Sequence, residues 1–272
     1  LLTLAACSTP SSAPTISPTQ DRDAVEPTNS DYKAQEHSVD VGGQTRHYRL
    51  FAPDALEPGV VYPVLIAYHG GGGNPNAMER LSGLSELAER ERILLVYPYG
   101  SSARDERRLT FNAGSCCAFA QITNIDDVSF TDAVIDDLVA SFQADPRRIF
   151  LTGMSNGGLM AHRYAAERSD RVAAIAPVGG PLGVNIPALT QPVAVMHIHG
   201  TADELAPFHG GLGRNGNRNP DRAPFRSAED TIEAWRVANG CGSDANSEQL
   251  PDTANDGMTT QLLRMGNCDG GV

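Results

Sequence analysis

The 272 residues predict an α/β fold: a mostly parallel central sheet with helices on both faces. Three observations carry that expectation. Short apolar runs such as Val64-Leu-Ile-Ala-Tyr68 and Ile149-Phe-Leu-Thr152 have the unbroken hydrophobicity of strands buried on both faces. Segments of helical periodicity lie between such runs, as parallel pairing with crossover connections requires. A hydrophobic content of 40% and a charged content of 20% suit a packed domain.

In chain order, apolar and polar residues begin to alternate near His37-Ser-Val-Asp-Val41, and Gly42-Gly43 supplies a hairpin turn into a strand from Thr45 to Phe51. After Val64 to Tyr68, the residues Met78, Leu81, Leu84, Leu87 and Ala88 recur at helical spacing, and Ile93 to Tyr97 is the next buried strand. Asp127 opens a helix whose apolar stripe is Val134, Leu138 and Phe142, with Ile135 and Val139 beside it. Ile149 to Thr152 is a strand, Gly157 to Arg168 a helix, and Val172 to Val178 and Val193 to Ile198 are two further strands. Ser227-Ala-Glu-Asp230 resembles a capping box for a helix running to Asn239, where Gly240 stops it. Thr259 to Met265 is expected as a strand, and Asp269-Gly-Gly271 as a turn, with Val272 beginning one more strand. No internal repeat is present.

Residues 1–31 have a different character. Leu1 to Cys7 has the look of the tail of an apolar export signal, and Leu4-Ala5-Ala6-Cys7 resembles the lipobox at which a bacterial lipoprotein cysteine is acylated. The alternative is an ordinary secretion signal with a chance cysteine; either places the chain outside the cytoplasm. Positions 8 to 31 are dominated by Ser, Thr and Pro, a solvated tether with nothing to bury. The expected division is thus 1–31 as signal remnant and tether, and 32–272 as one folded domain. No later stretch approaches the ~18 apolar residues that span a bilayer, so membrane contact is expected only through a lipid on Cys7.

With 21 basic and 33 acidic residues the net charge is −12, which repels a phosphate backbone and argues against nucleic-acid binding. The five cysteines fit an oxidising compartment. Beyond Cys7, a disulfide between Cys241 and Cys268 is the first choice, while adjacent Cys116 and Cys117 could bridge each other or one could pair elsewhere. No CxxC pair or His cluster accompanies them, so no metal is expected.

The chemistry centres on Gly153-Met-Ser155-Asn-Gly157, a G-x-S-x-G between a strand and an Ala-rich helix. That context makes Ser155 a nucleophile at a sharp turn, held at the carboxyl edge of the sheet with a helix N-terminus behind it. A serine needs a base and its oxyanion needs aimed donors. His69-Gly-Gly-Gly-Gly73, directly after a strand, offers backbone N–H groups: Gly70 or Gly71 would pair with Asn156 to form the oxyanion hole. His69 itself is expected to hold structure. Asp203, in a loop after the strand Val193 to Ile198, has the chain position of the carboxylate that orients the base.

Asp145-Pro-Arg-Arg-Ile-Phe-Leu-Thr-Gly-Met-Ser-Asn-Gly-Gly158 closely resembles the elbow of the α/β-hydrolase esterases grouped as the polyhydroxybutyrate depolymerase family, which includes feruloyl-esterase-like members. Phe111-Asn-Ala-Gly-Ser-Cys-Cys117, Asn124-Ile-Asp-Asp-Val128, His199-Gly-Thr-Ala-Asp203 and Asn239-Gly-Cys241 look like further blocks of it in the same order. The resemblance implies an exported serine carboxylester hydrolase that works through an acyl-enzyme, without cofactor and as a monomer. Its substrates would be polymeric esters: polyhydroxyalkanoates, or feruloyl and acetyl esters of plant polysaccharide. Phe111 departs from relatives that carry Trp, and Ala166 from relatives that carry Cys, a missing partner for Cys116 or Cys117. The family's base lies in a Gly-Gly-His-type segment that the resemblance places past residue 272. His209, the one histidine after Asp203, is the alternative base. A serine peptidase of the same fold and a non-catalytic polysaccharide- or polyester-binding lipoprotein are the competing functions. Specificity would rest with the loops Ser101 to Thr123 and Glu204 to Arg226.

Overall fold

The computed structural model describes residues 32–104, 108–214, 223–253 and 255–272; Cys7 and the expected tether lie outside them. β1 (Tyr32–Val41) and β2 (Gln44–Pro53) form an antiparallel hairpin. Gly42 and Gly43 take φ of 59° and 82°, and the Gly43 N–H closes the turn on Asp40 Oδ1 at 3.1 Å. The pairing runs from Val41↔Gln44 out to Tyr32↔Pro53, so the first strand begins earlier than the alternation alone implies.

β3 (Tyr62–Tyr68), β4 (Leu94–Pro98), β5 (Ala144–Met154), β6 (Ala174–Val178) and β7 (Ala194–Val195) complete a seven-stranded sheet of order β1-β2-β4-β3-β5-β6-β7. β2 meets β4 antiparallel; every pair from β4 to β7 is parallel. Alternation along β3 distributes the two cores. Val64, Ile66 and Tyr68 face the larger one, with Val134 and Leu138 of α4 (Asp127–Ser141) and Leu159 and Tyr164 of α5 (Asn156–Glu167). Leu65 and Ala67 face the smaller one, with Met78 of α1 (Pro75–Ser82) and Ala88 of α2 (Leu84–Glu91), while the short α3 (Ala118–Ile122) precedes α4. Both faces of the sheet are therefore covered.

Three expectations are corrected. The apolar repeat from Met78 to Ala88 is two helices, because Gly83 adopts φ +60° and caps the first of them with its N–H on Glu79 O. The strand expected over 193–198 keeps its regular ladder only at Ala194–Val195. Pro177 has no N–H to give the facing strand, although its carbonyl still accepts from the Ile198 N–H at 2.9 Å and the Gly179 N–H reaches Ile198 O at 2.8 Å. The strand expected from Thr259 is present as β9 (Thr260–Met265), paired with β8 (Ala245–Leu250) in a hairpin of its own. Both hairpin strands expose nearly every side chain, so no buried face draws them into the core. Val272 follows the 3-10 turn Asp269–Gly271 and is assigned to no strand. Cys241 is joined to Cys268, and Cys116 to Cys117.

Candidate active site

Ser155 stands between β5 and α5 with φ 54° and ψ −117°. Non-glycine residues rarely take such a backbone, and a nucleophile elbow requires it. The Ser155 N–H is held by Val178 O of β6 at 2.8 Å, and the Ser155 carbonyl receives Leu159 N–H at 3.0 Å. Crowding explains the flanking glycines: a Cβ on Gly153 would stand 2.6 Å from Gly157 O, and one on Gly157 would stand 2.7 Å from His69 O. The elbow is thus wedged against the turn that follows β3.

That turn carries Gly70 and Gly71. A Cβ on Gly70 would meet Ser155 Cβ at 3.7 Å, and one on Gly71 would meet Asn156 Cβ at 3.4 Å, so both lie over the nucleophile. The loop's own bonds use the N–H of Gly72 (to Leu109 O, 2.8 Å) and of Gly73 (to Gly70 O, 2.9 Å); those of Gly70 and Gly71 take no part in them. His69 locks the loop. Its Nε2 accepts from Gly100 N–H at 3.2 Å, so Nδ1 carries the proton and donates to Gly70 O at 2.8 Å. Burial pushes this ring down to about 4, which keeps it neutral.

Asn156, on the other side of Ser155, is 1% exposed. Its side chain clasps the backbone of one residue at the head of the 111–117 loop: Oδ1 accepts from Phe111 N–H at 2.8 Å and Nδ2 donates to Phe111 O at 2.9 Å. Phe111 is fully buried between Tyr68 and His69, so its ring packs the site from beneath and is not open to substrate. The next residue is fixed by Asp127, which accepts Asn112 N–H at 2.7 Å on one oxygen and Arg46 at 2.7 Å on the other. The motif reading passed over Asn156's side chain and Asp127; their signal was the two blocks around 111–117 and 124–128.

Asp203 lies beyond the end of β7. Its Oδ1 accepts the N–H groups of Leu205 (2.8 Å) and Ala206 (3.0 Å), which aims the carboxylate, and Oδ2 lies 3.6 Å from His199 Nε2. β6 links it to the elbow, because Val178 holds Ser155 while a Cβ on neighbouring Gly179 would stand 3.5 Å from Asp203 Oδ2. No histidine among the described residues hydrogen-bonds Ser155. His209 pairs with Glu229 at 3.1 Å on an exposed loop, away from the Asp203 carboxylate's bonds. His162, His197 and His199 bond one another. No group of three or more His, Cys, Asp or Glu converges as a metal site among the described residues. A hollow of about 440 Å³ lined by Glu36, His37, His47, Asp137 and Phe142 contains none of the candidate site residues.

No family model matches the chain. "Putative esterase NocK" of Nocardia uniformis subsp. tsuyamanensis is 33% identical over 261 residues, covering 89% of this chain and 71% of NocK. "Feruloyl esterase B" of Piromyces equi is 28% identical over 77% of this chain, and "Bifunctional acetylxylan esterase/xylanase XynS20E" of Neocallimastix patriciarum 26% identical over 90%. The chain spans only 37% and 31% of those two proteins. Among solved structures, native sOPH aligns with a TM-score of 0.56 at 17% identity over 76% of each chain. A thermostable esterase aligns at 0.50 and 20% identity, over 66% of this chain and 48% of its own. These structural likenesses show the fold.

Proposed function

The chain belongs to the α/β-hydrolase esterases that include NocK and the feruloyl esterases, and on that premise we propose that Ser155 is the nucleophile of its ester hydrolysis. The observation that carries the reading is the Ser155 elbow at φ 54°, packed under a glycine turn whose first two N–H groups are left out of the loop's own bonding. Ser155 Oγ attacks the ester carbonyl as a histidine base, oriented by Asp203, takes its proton. The oxygen then turns towards the N–H groups of Asn156 and of Gly70 or Gly71. Collapse of the tetrahedral intermediate releases the alcohol, and water attacks the acyl-Ser155 ester by the same route. Each oxyanion donor contributes about 3 kcal/mol to the transition state.

We further infer that the substrates are extracellular polymeric esters. The names of the relatives favour feruloyl and acetyl groups on plant polysaccharide over a polyhydroxyalkanoate. Export fits the Leu4-Ala5-Ala6-Cys7 sequence and the two disulfides. The test is kinetic. In the full-length enzyme Ser155→Ala is expected to lower kcat on p-nitrophenyl acetate by about a thousandfold or more. Methyl ferulate, acetylated xylan and poly-3-hydroxybutyrate assayed side by side separate the substrate classes. Retained turnover in Ser155→Ala would overturn the assignment.

A further inference from the structure

Three histidines sit in the interior with every ring nitrogen used. Trp235 of α6 (Ala228–Ala238) donates Nε1–H to His162 Nδ1 at 2.9 Å. His162 Nε2 meets His197 Nδ1 at 3.2 Å, His197 Nε2 meets His199 Nδ1 at 3.0 Å, and His199 Nε2 meets Ala206 O at 2.7 Å. The two ends dictate the middle. An indole N–H can only donate and a carbonyl can only accept, so each ring must accept at Nδ1 and donate at Nε2. All three are therefore neutral and in one tautomer, and a proton added at any Nδ1 would set two donors against each other.

The chain joins the parts of the proposed site. His162 lies on α5, the helix that Ser155 immediately precedes. His197 and His199 alternate along the extended segment after β7, pointing inward while Met196 and Ile198 point out. Its last link grips the peptide of Ala206 by the carbonyl, and Asp203 Oδ1 grips the same residue by its N–H. His199 Nε2 stands 3.6 Å from Asp203 Oδ2, too far for a hydrogen bond, so that oxygen keeps a lone pair for a base. The charged groups facing the chain are Asp203 at His199 and Arg226 towards His162.

We propose that His162, His197 and His199 are positioning residues which, as a directed chain of neutral imidazoles from Trp235 to Ala206, hold the Asp203 carboxylate in register with the Ser155 helix. The proposal rests on the reading of Ser155 and Asp203 given above. Three imidazoles are a costly filling for a core unless all their nitrogens are bonded, and here they are. Burial strengthens the arrangement, holding His197 down to about 4 and His162 well below its ordinary value.

The test uses the full-length enzyme and three variants. Asp203→Asn examines the underlying site. His197→Leu removes the central link, and His197→Gln keeps one acceptor and one donor. His197→Leu is expected to lower kcat per folded molecule about tenfold or more with KM within about twofold, since misplacing a catalytic group by an ångström costs rate rather than affinity. His197→Gln should recover most of that loss. If Asp203→Asn is inactive while His197→Leu keeps the wild-type kcat, the positioning proposal fails and the site stands. If Asp203→Asn keeps wild-type kcat, both fail. Histidine ¹⁵N spectra of the unaltered enzyme at neutral pH give a readout that does not depend on a variant folding. All three rings should be protonated at Nε2 only, and an Nδ1–H on any of them would overturn the chain.

Discussion

At the scale of single residues, the proposed site depends on side chains that do no chemistry. Asn156 contributes its backbone N–H to the oxyanion hole in this account, yet its amide spends both polar atoms on Phe111. Asn156→Ala would leave the buried Phe111 N–H without its partner and the Phe111 carbonyl with only the Cys117 N–H, at 3.2 Å. The expected cost is about 2–3 kcal/mol in urea unfolding, together with a fall in kcat as the 111–117 loop loosens. An unchanged midpoint would mean that the clasp is replaceable. The motifs point to Ser155, Asn156, Gly70 and Gly71 because G-x-S-x-G and a glycine run after a strand are local patterns. They say nothing of the histidine chain, since His162 and His197 are 35 residues apart and only folding brings them to 3.2 Å.

At the scale of elements, α6 matters to the site through Trp235, which heads that chain. Ser227 caps the helix by accepting Asp230 N–H at 2.9 Å, half of the reciprocal box the sequence resembles. Ser227→Ala should cost about 1 kcal/mol, seen as a lowered unfolding midpoint with the fold intact. Element existence was legible wherever burial imposes a pattern, as in β3, β5 and α4. It failed where backbone chemistry decides: at Gly83, which divides a continuous apolar repeat, and at Pro177, which interrupts a ladder between two apolar segments. β8 carries Ala-Asn-Ser-Glu-Gln-Leu, with neither apolar alternation nor a buried face, so only its pairing with β9 defines it.

At the scale of the whole molecule, the buried histidines make stability depend on pH. His69 and His197 are held down to about 4, and His162 well below its ordinary value, because burial disfavours their charged forms. Unfolding releases them to ordinary histidines near 6.5, so the unfolded chain binds more protons below that pH. Their stability contribution is complete above about pH 6.5 and is lost as pH falls towards 4, at up to about 1.4 kcal/mol per pH unit for each ring. Urea midpoints measured from pH 7 to pH 4.5 should fall steadily. Midpoints that hold level would mean that these rings are not neutral and buried as described.

If ester turnover passes through an acyl group on Ser155, that intermediate can be trapped. The full-length enzyme is mixed with p-nitrophenyl acetate, quenched in acid within the first turnover and digested with trypsin. The peptide between Arg148 and Arg163 contains Ser155 as its one serine. This peptide should gain the mass of one acetyl group, placed on Ser155 by fragmentation and absent when substrate is omitted. Acetyl found on a different residue during steady turnover would contradict the assignment of Ser155.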